Sequence, residues 1–283
     1  MRSLLICFLV LLICLPLPSC AEEASGGVSM VCLNAGKADC ILLTVEGRFY
    51  LVDAGYRKYA DQLIAMLKRE NVDRLSGVFL THNHKDHYGG LSALVDSGIP
   101  VDAFYTPAYC VDSLDGKHPL VQAAARRGQT VRKLTAGDTV GISDDALFQV
   151  LGPTRLNTEN ENNNSLVLRL ESPDGSILLT GDMKFEEEYL LLSESLLTRT
   201  DVLKVAFHGD NTSTSASFLN AVRPRAAVIC TSSQEEKDTP SKDTLYRLAS
   251  VGCKTYVTQD AVSAVRVTLD RGKITVTLED WTK

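Results

Sequence analysis

Three of the five histidines in this 283-residue chain lie within six positions, in the segment His82-Asn83-His84-Lys85-Asp86-His87. His82 and His84 are two residues apart, so in an extended segment both side chains point the same way and can hold one metal ion. Asp86 and His87 are adjacent and point apart, which suits a second ion beside the first. The spacing therefore predicts a metal centre for two ions.

Two further candidate ligands follow apolar runs typical of buried strands. Asp182 comes directly after the run 178–181, and its carboxylate could bridge two cations. A helix is predicted to begin just after Asp182, so a role as a helix cap stays open. His208 ends the run 202–207, and the alternative there is a core histidine with a hydrogen-bond partner.

The rest of the sequence predicts the elements that position these residues. Short apolar runs of strand type alternate with segments of helical spacing. Strands are predicted at 28–33, 41–45, 49–52, 77–81, 101–105, 146–151, 165–171, 176–180, 202–207, 226–231, 255–258, 264–269 and 273–278. Helices are predicted at 57–70, 88–97, 118–127, 185–196, 215–222 and 241–250. This order favours one mixed α/β (α+β) domain, with two sheets packed face to face and helices outside.

Residues 1–19 have the pattern of an export signal. The apolar run 4–17 is shorter than the roughly 20 residues of a membrane-spanning helix. Pro16 and Pro18 interrupt the run, which favours a signal peptide over the alternative, an N-terminal anchor helix.

The end of this segment, Leu17-Pro18-Ser19-Cys20, resembles a bacterial lipobox. Cys20 is therefore predicted to carry a lipid that anchors the chain to a membrane face. The predicted organisation is a signal peptide at 1–19, a short linker at 20–27 and one folded domain at 28–283. The predicted location is extracytoplasmic, as an exported, membrane-anchored lipoprotein.

Composition and charge exclude some classes of protein. The chain is 45% hydrophobic and 23% charged, with a formal net charge of −6, so it is neither extensively disordered nor a general nucleic-acid coat protein. A local site at which metal ions supply positive charge stays compatible with this balance. Of the eight cysteines, none forms a Cys-x-x-Cys pair, so no zinc knuckle is indicated, and one disulfide in the exported chain stays open.

Several motifs together resemble those of the metallo-β-lactamase superfamily of metal-dependent hydrolases. The likeness covers about residues 28–283 and is closer still to the hydrolase domain of the competence DNA-uptake protein ComEC. The matching stretches are 51–55, 81–90, 162–168, 179–182 and 201–209. The resemblance implies the four-layer αββα sandwich of that superfamily.

The resemblance also implies roles for particular residues. It assigns the first ion to His82 and His84, the second ion to Asp86, His87 and His208, and the bridge between them to Asp182. Asp53 matches an acid that orients the histidine segment, with a turn residue as the alternative.

The implied cofactors are two divalent metal ions, with zinc first. Asn162 stands where the wider superfamily has a further histidine, and an amide is a poor ligand for zinc, which makes manganese the alternative. Asp210 is a candidate weak ligand or substitute acid near the site.

This chain departs from the competence-type pattern at two candidate general acids. Phe207 replaces the first histidine of a pair, and Asp238-Thr239-Pro240 replaces a Gly-His-Pro motif. Phenylalanine cannot exchange protons. His118 matches nothing in the pattern and is expected at an exposed helix start.

The function implied is hydrolysis of a phosphodiester or phosphate ester by a hydroxide formed on the ions, with Asp86 and Asp182 as catalytic residues. The alternatives are a non-catalytic metal- or ligand-binding surface lipoprotein and an accessory component of DNA uptake. The predicted partners are a small-molecule or nucleotide-like substrate and, through the lipid, a membrane. The acidic charge and the single tryptophan do not support a nucleic-acid partner.

Overall fold

The computed structural model describes residues 27–109 and 116–282. Within them, two β-sheets pack face to face and helices cover both outer surfaces. This confirms the predicted αββα sandwich. The predicted signal peptide and the predicted lipidation site at Cys20 lie outside the described residues.

Fifteen strands and seven α-helices make up the described part of the chain. The strands are β1 (Val28–Leu33), β2 (Cys40–Val45), β3 (Arg48–Ala54), β4 (Gly77–Phe79), β5 (Phe104–Pro107), β6 (Val131–Leu134), β7 (Thr139–Gly141), β8 (Leu147–Gly152), β9 (Val167–Ser172), β10 (Gly175–Leu179), β11 (Val202–Lys204), β12 (Ala226–Ile229), β13 (Lys254–Val257), β14 (Ala264–Asp270) and β15 (Lys273–Glu279). The helices are α1 (Ala60–Arg69), α2 (Lys85–Tyr88), α3 (Leu91–Asp96), α4 (Pro119–Ala125), α5 (Phe185–Ser193), α6 (Ala216–Val222) and α7 (Lys242–Ser250).

The two sheets are built alike. The first has the order β15-β14-β1-β2-β3-β4-β5-β6, and the second β13-β12-β11-β10-β9-β8-β7. In each sheet, antiparallel strands lead into a run of parallel ones, β3 to β6 and β10 to β13. The carboxyl ends of parallel strands meet at one edge of a sheet, where binding residues can gather. The candidate ligands follow β4, β10 and β11, at these edges.

Strand β1 shows how the sequence pattern places apolar side chains on both faces of a sheet. Val28, Met30 and Cys32 pack between the sheets, whereas Val31 and Leu33 pack against the helices of the outer face. Alternate side chains of a strand point to opposite faces, so a strand buried on both sides is apolar throughout. A third cluster lies between the second sheet and α5 to α7.

The predicted helix at 88–97 is wrong in its start and its continuity. The structure has two short helices, α2 and α3, with Gly89 and Gly90 between them. A Cβ at Gly90 would lie 2.3 Å from the carbonyl oxygen of Ala54, and one at Gly89 would lie 2.4 Å from the nitrogen of Arg57. Only glycine permits this close approach of the histidine segment to the end of β3.

Other differences concern strand limits. The predicted strand at 202–207 ends at Lys204, and Phe207 lies instead in a 3₁₀ turn, Ala206–Gly209. The predicted strand at 101–105 is found at Phe104–Pro107. Strands β6 and β7 were not predicted, because they are short and mostly exposed and so lack an apolar pattern.

Among the described residues, no helix has both the length and the apolar composition needed to span a bilayer. Four cysteines in this part of the chain are buried free thiols, at positions 32, 40, 230 and 253. Three of them, at 32, 230 and 253, pack in apolar clusters, as predicted.

Candidate metal centre

Loops from both sheets meet at one end of the sandwich. In the first sheet, Asp53 lies near the end of β3, and the histidine segment follows β4. In the second sheet, Asp182 follows β10 and His208 follows β11. Four separate segments therefore come together, as the sequence predicted.

Four side chains form a compact cluster at this point. The ligand atoms of Asp86, His87, Asp182 and His208 all lie within 4.8 Å of one another. Oδ2 of Asp182 lies 3.3 Å from Nε2 of His87 and 3.2 Å from Nε2 of His208. Oδ2 of Asp86 lies 3.4 Å from the same His208 nitrogen. Two ligand atoms on one tetrahedral zinc ion, with bonds of about 2 Å, lie roughly 3.3 Å apart, so the cluster has the spacing of a single-ion site.

His82 and His84 form a second pair beside this cluster. Nε2 of His82 lies 2.9 Å from Nδ1 of His84 and 3.7 Å from Oδ2 of Asp182. His82 is buried and His84 half-buried. One carboxylate oxygen of Asp182 thus lies within 3.7 Å of a ring nitrogen of His82, His87 and His208.

Three buried atoms of this cluster have no hydrogen-bond partner within the described structure: His87 Nε2, His208 Nε2 and Asp182 Oδ1. A buried polar atom without a partner is costly, and such atoms are rare in folded proteins. Each of these atoms can donate an electron pair to a cation. The donor set therefore fits a metal centre.

Hydrogen bonds on the far side of the rings fix which nitrogen faces the cluster. Nδ1 of His208 lies 2.8 Å from the carbonyl oxygen of Cys230, which only accepts, so Nδ1 donates. Nδ1 of His87 donates in the same way to Oδ2 of Asp53, at 2.7 Å. In the neutral rings, both Nε2 atoms then present a lone pair to the centre of the cluster.

Asp53 also controls the first histidine of the segment. Its carboxylate accepts from the backbone nitrogen of Thr81 at 2.8 Å and from the Thr81 hydroxyl at 2.7 Å. That hydroxyl lies 3.2 Å from Nδ1 of His82, and because its proton goes to Asp53 it accepts from the ring. Asp53, whose backbone has a left-handed φ of 58°, thus contacts the ring of His87 directly and that of His82 through Thr81.

The charges of the cluster interact strongly. Burial by itself lowers the pKa of His208, but the carboxylates of Asp182 and Asp86 outweigh it and raise that pKa to about 9. The pKa of His87 is likewise raised against the effect of burial, by Asp182 and Asp53. Burial and the neighbouring His87 instead lower the pKa of His82.

The carboxyl groups show the complementary effect. Burial alone raises the pKa of Asp182, but the rings of His208 and His87 hold that pKa well below its usual range. The pKa of Asp86 is also lowered despite burial, chiefly by the ring of His208, whose Nε2 lies 3.4 Å from Oδ2 of Asp86. Both carboxylates are therefore ionised at neutral pH.

Two functional residues were missed by the sequence analysis. Lys204, in β11, is fully buried and forms an ion pair with buried Asp39, which precedes β2. The Lys204 ammonium also donates to the carbonyl oxygen of Gly181 at 3.0 Å and lies 4.0 Å from Asp182 Oδ1. The signal in the sequence was a single lysine inside an apolar strand, which indicates a buried charge with a partner.

The charge balance of the site follows from these neighbours. Four carboxylates, Asp39, Asp53, Asp86 and Asp182, lie around one permanent cation, Lys204. With neutral imidazoles this leaves about three negative charges in a largely buried space, which divalent cations would offset.

The helix-cap alternative for Asp182 is wrong. The residue that precedes α5 is Lys184, and no side chain makes a cap hydrogen bond there. The backbone nitrogen of Asp182 instead donates to the hydroxyl oxygen of Ser165, 3.0 Å away, and the Asp182 carboxylate faces the histidines.

The remaining candidates differ in position. Asn162 is buried in the 3₁₀ turn Glu161–Asn164, which leads through Ser165 to Asp182. Asp210 belongs to neither group of acids and histidines that could hold a metal ion, that is, Asp86, His87, Asp182 and His208 or Asp39, Asp53 and His87. Its Oδ1 accepts instead from the backbone nitrogen of Thr212 at 2.8 Å and from the Thr212 hydroxyl at 2.6 Å.

The expectation that His118 is exposed is wrong. It is half-buried, and its Nε2 lies 2.6 Å from Oδ1 of Asn83, between the first two histidines of the segment. Thr239, in the place of the missing Gly-His-Pro histidine, is buried and bonded to the Thr231 hydroxyl at 2.7 Å. It carries no ionisable group.

The chain matches known proteins on this fold and site. A family model described as the Metallo-beta-lactamase superfamily matches residues 33–233. The chain therefore belongs to the metallo-β-lactamase superfamily. Together with the acid–histidine cluster, this membership indicates a metal-dependent hydrolase with two metal ions.

Curated relatives confirm the likeness to competence proteins. ComE operon protein 3 of Bacillus subtilis is 31% identical over 167 residues, 59% of this chain and 21% of that protein. Competence protein ComA of Neisseria gonorrhoeae is 28% identical over 259 residues, 91% of this chain and 34% of that protein. The chain thus spans about a fifth to a third of the length of these relatives.

A third relative carries a different name. Ribonuclease J 2 of Staphylococcus epidermidis is 24% identical over 172 residues, 57% of this chain and 28% of that protein.

Among solved structures, zinc-bound PqqB from Methylobacterium extorquens superimposes with a TM-score of 0.54 at 11% identity, covering 81% of this chain and 97% of that one. This last likeness shows the shared fold.

Proposed function

We propose that this chain hydrolyses phosphodiesters or phosphate esters with two divalent cations bound at the loop cluster. The observation that carries the proposal is the spacing of 3.2–3.4 Å among ligand atoms of Asp86, His87, Asp182 and His208, with both histidine Nε2 atoms unpartnered. The relative named as a ribonuclease supports a phosphodiester, and the absence of a histidine at Asn162 disfavours a β-lactam.

In this proposal, His82 and His84 hold the first ion, Asp182 bridges, and the second ion is held by Asp86, His87 and His208. Zinc suits the imidazole-rich second position, whereas Asn162 at the first position favours weaker zinc binding or manganese there. When bound, such cations lower the pKa of a water molecule and neutralise charge that develops on the substrate.

The residues of the chain supply orientation and charge. The hydrogen bonds to Asp53 and Cys230 direct two Nε2 lone pairs into the cluster. Lys204 donates to Gly181, the residue before Asp182, and so supports the loop that carries the bridging carboxylate.

Protonation of the leaving group is the step for which the chain lacks an obvious acid. Phe207 and Thr239 stand at the two positions where related sequences have histidines, and neither exchanges protons. Substrates whose leaving groups are already good, such as nitrophenolates, should therefore be cleaved faster than alkyl esters.

The test uses the mature chain from Cys20 onward with bis-(p-nitrophenyl) phosphate and added zinc or manganese. We expect Asp182→Ala to reduce hydrolysis at least a hundredfold and to lower the bound metal. Asp243→Ala, an exposed carboxylate at the start of α7, is the matched control and should leave both unchanged. Full activity in Asp182→Ala would contradict the bridging role. Metal binding without any hydrolysis would favour a non-catalytic metal-binding protein.

We also infer that the chain is exported and anchored through Cys20, on the strength of the lipobox-like Leu17-Pro18-Ser19-Cys20. Expression in a bacterium with radiolabelled palmitate should label the wild-type chain and not a Cys20→Ser variant. Equal labelling of both would rule out this anchor.

A further inference from the structure

Phe207, which replaces an expected histidine, has two lysines at its ring. The ammonium nitrogen of Lys184 lies 5.0 Å from the centroid of the ring, and that of Lys37 lies 5.6 Å from it. Attraction to the ring holds both ammonium groups in place without satisfying their charge. The two ammonium groups place two positive charges at one ring, and a bound anion would offset them.

The surroundings leave much of this charge uncompensated. Lys37 lies 3.6 Å from a carboxylate oxygen of Glu236, an exposed partner that offsets it only in part. Across the described ranges, no ion pair within 4.0 Å involves Lys184. A positive patch is unexpected on a chain with a net charge of −6, so its position needs an explanation.

That position is the margin of the candidate metal centre. Phe207 precedes His208 directly, and its backbone nitrogen donates to the carbonyl oxygen of Gly181 at 3.2 Å. Lys184 comes two residues after Asp182. All three side chains, those of Phe207, Lys184 and Lys37, are half-buried, so they border the cluster and reach solvent.

Lys37 reaches the ring from the opposite sheet. It lies two residues before Asp39, which forms the ion pair with Lys204 beneath the cluster. The segment of Lys37 and Asp39 and the segment of Asp182 and Lys184 thus each place a buried carboxylate in the site and a lysine at the Phe207 ring.

The backbone at the ring is in an unfavourable conformation. Phe207 has φ 47° and ψ 47°, and His208 has φ 53° and ψ 23°. Two successive non-glycine residues in the left-handed region are costly, and such strain is retained mostly at functional sites. The position of His208 in the cluster accounts for the left-handed backbone at His208. A function of the Phe207 ring accounts for the left-handed backbone at Phe207.

We propose that Lys37, Lys184 and Phe207 form an anion-binding rim that holds a second phosphate of the substrate, next to the phosphate that is cleaved. Ammonium groups bind phosphate as point charges, and the Phe207 ring holds the two ammonium groups in position. The rim therefore selects a substrate with at least two linked phosphodiesters over one with a single phosphate. This inference rests on the proposed function for the identity of the cleaved group.

The test compares two substrates of the mature, metal-loaded chain: bis-(p-nitrophenyl) phosphate, with one phosphate, and a fluorescein-labelled thymidine hexanucleotide, with several. We expect Lys37→Gln and Lys184→Gln each to lower kcat/KM for the hexanucleotide five- to tenfold and to change that for the nitrophenyl ester less than twofold. Lys254→Gln, an exposed lysine of β13, is the charge-matched control and should change neither. Equal loss on both substrates, or no loss beyond the control, would overturn the rim.

A binding measurement distinguishes failure of the rim from failure of the proposed function. If the wild type cleaves neither substrate, the proposed function fails, and anisotropy of the labelled hexanucleotide still measures the rim. The rim then predicts that the double variant Lys37→Gln/Lys184→Gln weakens binding at least tenfold and reduces the slope of log affinity against log salt by about 1.4, since each single-strand phosphate contact contributes about 0.7. Unchanged affinity and slope would overturn it.

Discussion

Lys204 is the most unusual single residue of the site, because a lysine side chain is rarely buried completely. Burial alone would lower its pKa, but the carboxylates of Asp39 and Asp182 outweigh that effect and raise the pKa above its ordinary value. The ammonium therefore stays charged at all physiological pH values. It already compensates Asp39, so the acidic group of Asp39, Asp53 and His87 needs no metal ion of its own.

This arrangement gives a prediction for stability. Lys204→Met should lower the free energy of unfolding by about 3–5 kcal/mol, because it leaves the buried carboxylate of Asp39 without a partner. The double variant Lys204→Met/Asp39→Asn should recover most of the loss. Urea denaturation of the metal-free proteins measures both. A double variant no more stable than the single one would show that the ion pair is not the cause.

Residue patterns explain which parts of the site were predictable. The histidine segment is recognisable from its composition. Asp182 and His208 are recognisable from their positions after apolar runs. Asp39 and Lys204 belong to no motif, and they form their ion pair only when the two sheets have packed together. The lysine inside an apolar strand indicates a buried charge, but the local sequence does not say that Asp39 is its partner.

Among the secondary-structure elements, continuous apolar runs predicted the doubly buried strands β1 and β10 well. Side-chain pattern failed where a backbone contact overrides it. Helical spacing continues through Gly89 and Gly90, yet the chain breaks there because its backbone packs against the end of β3. The strand at 202–207 stops at Lys204 because the following turn must deliver His208 to the cluster.

The close contact at Gly90 can be tested directly. Gly90→Ala places a methyl group 2.3 Å from the carbonyl oxygen of Ala54, so α3 and the histidine segment must move. We expect a loss of about 1–3 kcal/mol in stability and weaker metal binding. Gly141→Ala, where a Cβ meets nothing within 4 Å, is the matched control. The two variants are compared by urea denaturation and by zinc competition with a chelator, and equal behaviour would contradict the packing role.

For the molecule as a whole, metal binding and protonation compete. In the metal-free protein, the pKa of His208 is raised to about 9, above the value of about 6.5 in an unfolded chain. Its contribution to stability is therefore complete below pH 6.5 and is lost as the pH rises through 9. A metal ion requires the neutral ring, so metal binding must release this proton below pH 9.

Thermal unfolding with and without zinc between pH 6.5 and 9 checks this competition. The metal-free protein should lose stability as the pH rises, whereas the increase in Tm caused by zinc should grow. One released proton corresponds to about a tenfold gain in apparent affinity per pH unit. An increase in Tm that is the same at every pH would show that His208 binds no metal.

The division of the candidate ligands between the two sheets has a mechanical consequence. The histidine segment belongs to the first sheet, and Asp182 and His208 belong to the second, about 100 residues later in the sequence. An ion shared by both groups would act as a cross-link between halves that otherwise adhere through apolar packing and a few polar contacts, such as the Lys204–Asp39 ion pair. Chelation should then free the two layers to slide or part at this end of the sandwich, and the opposite end should stay closed.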